Sequence, residues 1–159
     1  MPKFLMVETL DNEPIITVRL GTGGGSNLFT DADVGKAVKL TADSRYTLCA
    51  AGDAIEAIVS SVNVGKVDNY SLGGIKKTGY KQVTFDGLQA TPGTGTVAIG
   101  DYVTVGTVVA QNTALSGPLK VCTATTQATA IAKAQRARVV SLGDAGTGVV
   151  GTVGLIEML

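Results

Sequence analysis

Few residues in this chain are able to do chemistry. There is no histidine, so no imidazole acts as general base, metal ligand or pH switch, and Ser-His-Asp and Cys-His nucleophiles are excluded within one chain. A Ser-Lys pair remains conceivable, yet no S-x-x-K stands in a context that supports one. Asp31 and Asp33 have the spacing of the first ligands of a calcium loop. Gly35 then occupies the fifth position, and Ala42 the twelfth, where a bidentate Glu is required. The glycine run Gly21–Asn27 lacks the Lys-Ser/Thr that neutralises phosphates and holds magnesium, and Ser26 breaks the G-x-G-x-x-G pattern. Cys49 and Cys122 lie outside any C-x-x-C or metal spacing and are expected as free, half-buried thiols of a reducing compartment, with a disulfide as the open alternative. Asp53, Asp86, Asp101 and Asp144 each border a glycine and read as turn residues. Glu56, alone in an apolar run, is expected in a rim or interface salt bridge. The expectation is a protein with no catalytic, cofactor or metal site, and not an enzyme.

The elements that carry these residues are short β-favouring runs broken by Gly, Asp, Asn and Pro. In Ile15–Leu20, Ile16, Val18 and Leu20 face one way and Thr17 and Arg19 the other, the period of a half-buried strand. The glycine-rich joint that follows separates residues 1–30, read as an extended N-terminal arm, from a β-rich domain over 31–159. Val38–Thr41 and Lys81–Phe85 alternate as strands, the second ended by Asp86-Gly87. Ala54–Val62 is apolar on both faces, as in a strand covered on both sides. The segment 91–95 is a loop, and Ala137–Leu142 with Val149–Met158 form a hairpin around the loop 143–148. Gln127–Arg136 favours a short helix. Gly-Asp recurs at 52–53, 100–101 and 143–144 as turn chemistry. The fold class is mainly β: a compact sandwich or barrel of short antiparallel strands with at most one short helix.

Composition points to a life in contact with other proteins. Lys+Arg and Asp+Glu each number 13, which gives no electrostatic reason to bind nucleic acid or an anionic membrane. Hydrophobic residues make up 45% and charged residues 16%, against about 25% charged in a typical soluble domain. Large interfaces would take such weakly charged surface out of water. No run approaches the length of a membrane span, and the N-terminus does not read as a signal peptide, so synthesis in a cytoplasm is expected. Lys66, Lys76, Lys77 and Lys81 flank Gly73-Gly74-Ile75, read as a loop; they solubilise a sheet edge or meet an acidic partner.

Four stretches together resemble the head decoration (cement) proteins of tailed bacteriophages. They are Ala32–Leu40 with its D-V-G-K, Ala51–Val62 with its G-D-x-I, the glycine-bordered Gly73–Gly87, and Ile99–Val103 with G-D-x-V. The resemblance spans roughly residues 30–157 and rests mostly on turn glycines and valines. It implies a β domain that oligomerises, a trimer by analogy, and sits on the outside of an icosahedral shell built of major capsid protein. It carries over no catalytic residues. Capsid or subunit contact is then expected at Phe4, Leu5, Ile15, Ile16, Leu28 and Phe29 of the arm, and at Lys76 and Lys77. Alternatively, the apolar residues close one end of the domain's own core. A tail or fibre component is a rival, without the repeats or heptads a fibre favours. A carbohydrate-binding module is another, with no Trp and four Tyr to build a sugar platform.

Overall fold

In the computed structural model, which describes residues 14–21, 29–41, 45–67, 70–106, 119–123 and 136–159, the regular structure is β apart from one 3-10 turn at Asp31–Asp33. Strands β1 (Ile16–Leu20), β2 (Ala37–Leu40), β3 (Arg45–Leu48), β4 (Ala57–Val67) and β5 (Tyr70–Lys76) close a barrel in the order β1-β3-β2-β4-β5. β1 makes the closure. It runs antiparallel to β5 from Ile16 opposite Ile75 to Leu20 opposite Ser71, and parallel to β3 at Arg19–Arg45 and Leu20–Tyr46. Leu20, Phe29, Val38, Tyr46, Ala57, Val59 and Ile75 fill the barrel.

The second unit is a curled sheet of β6 (Gly79–Leu88), β7 (Thr91–Pro92), β8 (Val103–Val105), β9 (Leu119–Thr123), β10 (Ala137–Ser141) and β11 (Val153–Met158). Its order is β10-β11-β6-β9-β8, with β7 on β6; the β6–β9 pair is parallel. A bridge between Tyr102 and Arg138 brings the β8 end against β10. The expected C-terminal hairpin is β10–β11, antiparallel with Ala137 opposite Met158.

The two units share a wall. Successive side chains of a strand point to opposite faces, and on β2 and β4 both faces are buried. Ala37 and Ile58 enter the core of the curled sheet with Val83, Phe85, Val103, Val121 and Ile156, while Val38 and Val59 enter the barrel. This is why the run is apolar on both faces from Ala57 to Val59, ahead of Ser60 and Ser61, where a register shift interrupts the β4–β5 ladder.

Strand entry follows one repeated device. At Asp33–Lys36, Ala50–Asp53, Ala98–Asp101 and Val149–Thr152, the fourth residue's N–H donates to the first residue's carbonyl at 3.1, 3.1, 3.2 and 3.0 Å. The third residue is a glycine at φ +86°, +82°, +90° and +87° (Gly35, Gly52, Gly100, Gly151). Val34, ahead of Gly35, sits at φ −61°, ψ 132°, so that turn is type II, whose third position demands positive φ. Each glycine N–H then donates to a strand carbonyl, of Val59, Val105, Val139 and Phe85 in turn. The same strand residue's N–H returns a bond to the fourth turn residue. Asp53 and Asp101 add a second closure, their carboxylates accepting the N–H of Ala50 (2.7 Å) and Ala98 (2.9 Å). The third Gly-Asp is different: Gly143 donates no such pair, and a Gly146–Gly143 bond closes its turn.

Several expectations need correction. Residues 16–20 and Phe29, assigned to an arm, belong to the barrel: Leu20 is fully buried, and the Phe29 carbonyl accepts the Ser71 hydroxyl at 3.2 Å. Period-2 alternation registers burial of a strand, and says nothing about which body buries it. Gly73-Gly74-Ile75 lies inside β5, not in a loop; a side chain on Gly73 would meet Leu20, and one on Gly74 would meet Ile15 and Ser61. β6 runs through Asp86-Gly87 to Leu88, with a register shift against β9 there, and Asp86 is buried. The expected helix lies outside the described residues except for Arg136, which is not helical.

Candidate assembly surface

Of the residues singled out for contact, Phe4, Leu5 and Leu28 lie outside the described residues. Phe29 is core. Ile15 and Ile16 are 55% and 43% exposed at the start of β1. Because Ile16 pairs with Ile75, the isoleucines sit at the same end of the barrel as Lys76 and Lys77, where β5 finishes. The structure thus brings together two groups that are about 60 positions apart in the chain.

Lys76 pairs in turn with Ile58 of β4. Beyond it lies a cleft lined by Val34, Gly35, Ile58, Ser60, Lys76, Tyr80, Lys81 and Met158, with a volume of about 190 Å³. Val34 and Tyr80 are each 46% exposed. A strip therefore crosses β1, β5, β4, the turn at Val34 and β6, presenting apolar side chains among three lysines. Lys77 holds its ammonium over the Tyr46 ring, 5.3 Å from the centroid, and so covers the barrel end as well as charging it. The Tyr80 hydroxyl reaches Glu157 at 3.4 Å, and Glu157 is ion-paired with Arg138 at 3.2 Å.

Val34 and Tyr80 were not picked out in the sequence. Their signal was faint: Val34 precedes a turn glycine, and Tyr80 takes the outward phase of β6, whose inward phase is Val83 and Phe85. A second set of exposed apolar residues, Leu88, Ile99 and Val149, lies on the curled sheet. A wider, open groove of about 640 Å³ runs along Ile15, Thr17, Asp31, Ser61, Asn63 and Leu72 on the outer barrel wall.

The polar clusters serve the main chain. Lys36 bonds Asp33 at 2.7 Å, Lys39 bonds Asp53, and the Glu56 carboxylate accepts the Leu40 N–H at 2.9 Å. The hydrogen bond that the Lys39 ammonium donates to Asp53 holds it above its usual pKa, against a smaller opposing effect of burial. Cys49 and Cys122 are free and buried, more deeply than expected. Burial pushes both thiols up to about 12, with Asp53 and Asp86 adding to it. Thiols held protonated are poor nucleophiles and poor metal ligands. Among the described residues no cluster of His, Cys, Asp or Glu is able to hold a metal ion, and no helix is long and apolar enough to cross a membrane.

Compared with protein-family models, with curated proteins and with solved structures, the chain matches none of them.

Proposed function

We propose that this chain is a structural virion protein that binds the outside of an icosahedral phage capsid, by contact with the major capsid protein, and stabilises the shell. The observation that carries the reading is the strip of exposed Ile15, Ile16, Val34 and Tyr80 among Lys76, Lys77 and Lys81. It sits on a β scaffold in which Asp33, Asp53, Glu56 and Asp101 accept hydrogen bonds from the chain's own backbone. The resemblance of residues 30–157 to decoration proteins supports it, as does the low charged fraction, which suits broad protein contact. Binding across shell subunits adds its free energy to the assembled state by mass action.

Mass spectrometry of purified virions from a phage carrying this gene tests the reading. The chain is expected in fixed proportion to the major capsid protein, and heads made without it are expected to release DNA at a lower temperature. Absence from virions, or confinement to tails, overturns it.

A further inference from the structure

The strip does not exhaust the exposed apolar surface. Leu88 ends β6, eight positions and up to about 26 Å along the strand from Tyr80. There the chain folds back: the Leu88 N–H donates to the Thr94 carbonyl at 2.9 Å, and a side chain on Gly95 would meet Leu88. From Gly95 to Ile99 the chain crosses at most about 14 Å. In this crossing Thr96 bridges Val149, and Val97 enters the core. Side chains alternate, so Thr96 and Ala98 face outward, and Val149 opposite Thr96 faces out with them. Ile99, 66% exposed, then projects from the Ala98–Asp101 turn. Leu88, Val149 and Ile99 thus stand along one short path.

Charge sets this face apart. Residues 87–100 and 145–156, which build it, contain no Asp, Glu, Lys or Arg. Of the acids that border them in the chain, Asp86 is buried, Asp101 accepts the Ala98 N–H, Glu157 is ion-paired with Arg138, and Asp144 is exposed. At Gly93, Gly100, Gly146 and Gly151 nothing lies within 4 Å of where a Cβ would stand, so no side chain of theirs holds another body away from the backbone.

The same property selects the occupant. A residue close to a rotation axis meets its own counterpart in the next copy, so a charge there would face the same charge. An uncharged face meets itself without that penalty, and its apolar side chains gain by leaving water. To a partner of another kind it offers no charge to steer the encounter or fix the register. We infer that this face packs against the same face of a second copy, around the symmetry axis of a homo-oligomer, with Ile99 and Val149 close to the axis. The strip on the barrel is then left for the shell. The inference goes beyond the shell reading and fails separately from it.

The test uses the full-length chain. Light scattering over a dilution series gives the dissociation constant of the oligomer. Ile99→Lys and Ile99→Glu are each expected to weaken it at least about tenfold, since each sets like charges against one another. Mixing the two variants is expected to restore it, because a lysine then meets a glutamate. Only a position that meets its own counterpart behaves in this way. Ile16→Lys, on the strip, is expected to leave the dissociation constant unchanged. Unchanged far-ultraviolet circular dichroism of the Ile99 variants, together with rescue on mixing, separates lost contact from lost folding. A wild-type monomer at every concentration, an oligomer indifferent to both charges, or one that mixing fails to restore overturns the inference. A monomer that is nonetheless found in virions overturns it alone, and an oligomer that mixing restores but that is absent from virions overturns only the shell reading.

Discussion

Ile58 and Val59 are neighbours on β4 with side chains in different cores, so truncating each probes whether the shared wall makes one folding unit of two. Ile58→Ala removes a side chain 5% exposed from the curled-sheet core, at a cost of about 3 kcal/mol including the cavity. Val59→Ala removes one 1% exposed from the barrel, at about 2 kcal/mol. With a urea slope of about 2 kcal/mol/M, the midpoints fall by about 1.5 M and 1 M. Two local probes follow the two units: hydrogen exchange in β5 reports the barrel, and thiol labelling of Cys122 in β9 reports the sheet. If the wall couples them, both probes move together in both variants, although each truncation is confined to one core. Deprotection of β5 in Val59→Ala at urea concentrations where Cys122 stays unlabelled would refute the shared wall as the cooperative element.

Gly100→Ala isolates backbone strain, because φ is +90° and nothing lies within 4 Å of the new methyl; a loss of about 1 kcal/mol in urea unfolding is expected. Gly148→Ala drives a methyl into the Val97 backbone and is expected to cost about 4 kcal/mol or to abolish soluble expression. Thr104 is 1% exposed and its hydroxyl lacks a partner among the described residues, so Thr104→Val is expected to raise stability by about 1 kcal/mol, read as a higher melting temperature. The folded chain keeps its two thiol protons up to about pH 12, whereas an unfolded cysteine ionises near 9. The native state then binds more protons, so this contribution is complete below pH 9 and is lost as pH rises from 9 toward 12. Lys39, also raised, adds a loss in the same direction at alkaline pH. Urea midpoints from pH 8 to 11 are expected to fall, and Cys122→Ala to flatten the fall; Ellman's reagent at pH 8 is expected to leave the folded thiols untouched.

Alternation and turn chemistry made much of the fold legible in the residues. β2, most of β6 and the C-terminal hairpin lie where apolar residues alternate, and two Gly-Asp pairs mark turns that admit strands. Gly35 and Gly151 play the same part followed by Lys36 and Thr152, so the informative unit was the glycine with an apolar residue before it, and the aspartate was an addition. Closure of the barrel by β1 was hidden because it depends on a parallel contact with β3 and an antiparallel one with β5, both far away in sequence. The same distance concealed the strip: Ile15 and Lys76 were each visible as candidates, but their adjacency exists only through the β1–β5 register. Phe29 had the composition of an anchor and the location of a core residue, a choice that hydrophobicity alone leaves open.

A chain this rich in valine and this poor in charge is the kind that recruits copies of itself through bare strand edges. Here β1 meets both β3 and β5, leaving the barrel without a first or last strand, and Tyr102 against Arg138 ties the rims of the curled sheet together. Crowding many copies side by side then offers little for runaway polymerisation to grow from. Among the described residues that leaves side chains, rather than open strand edges, to meet another molecule.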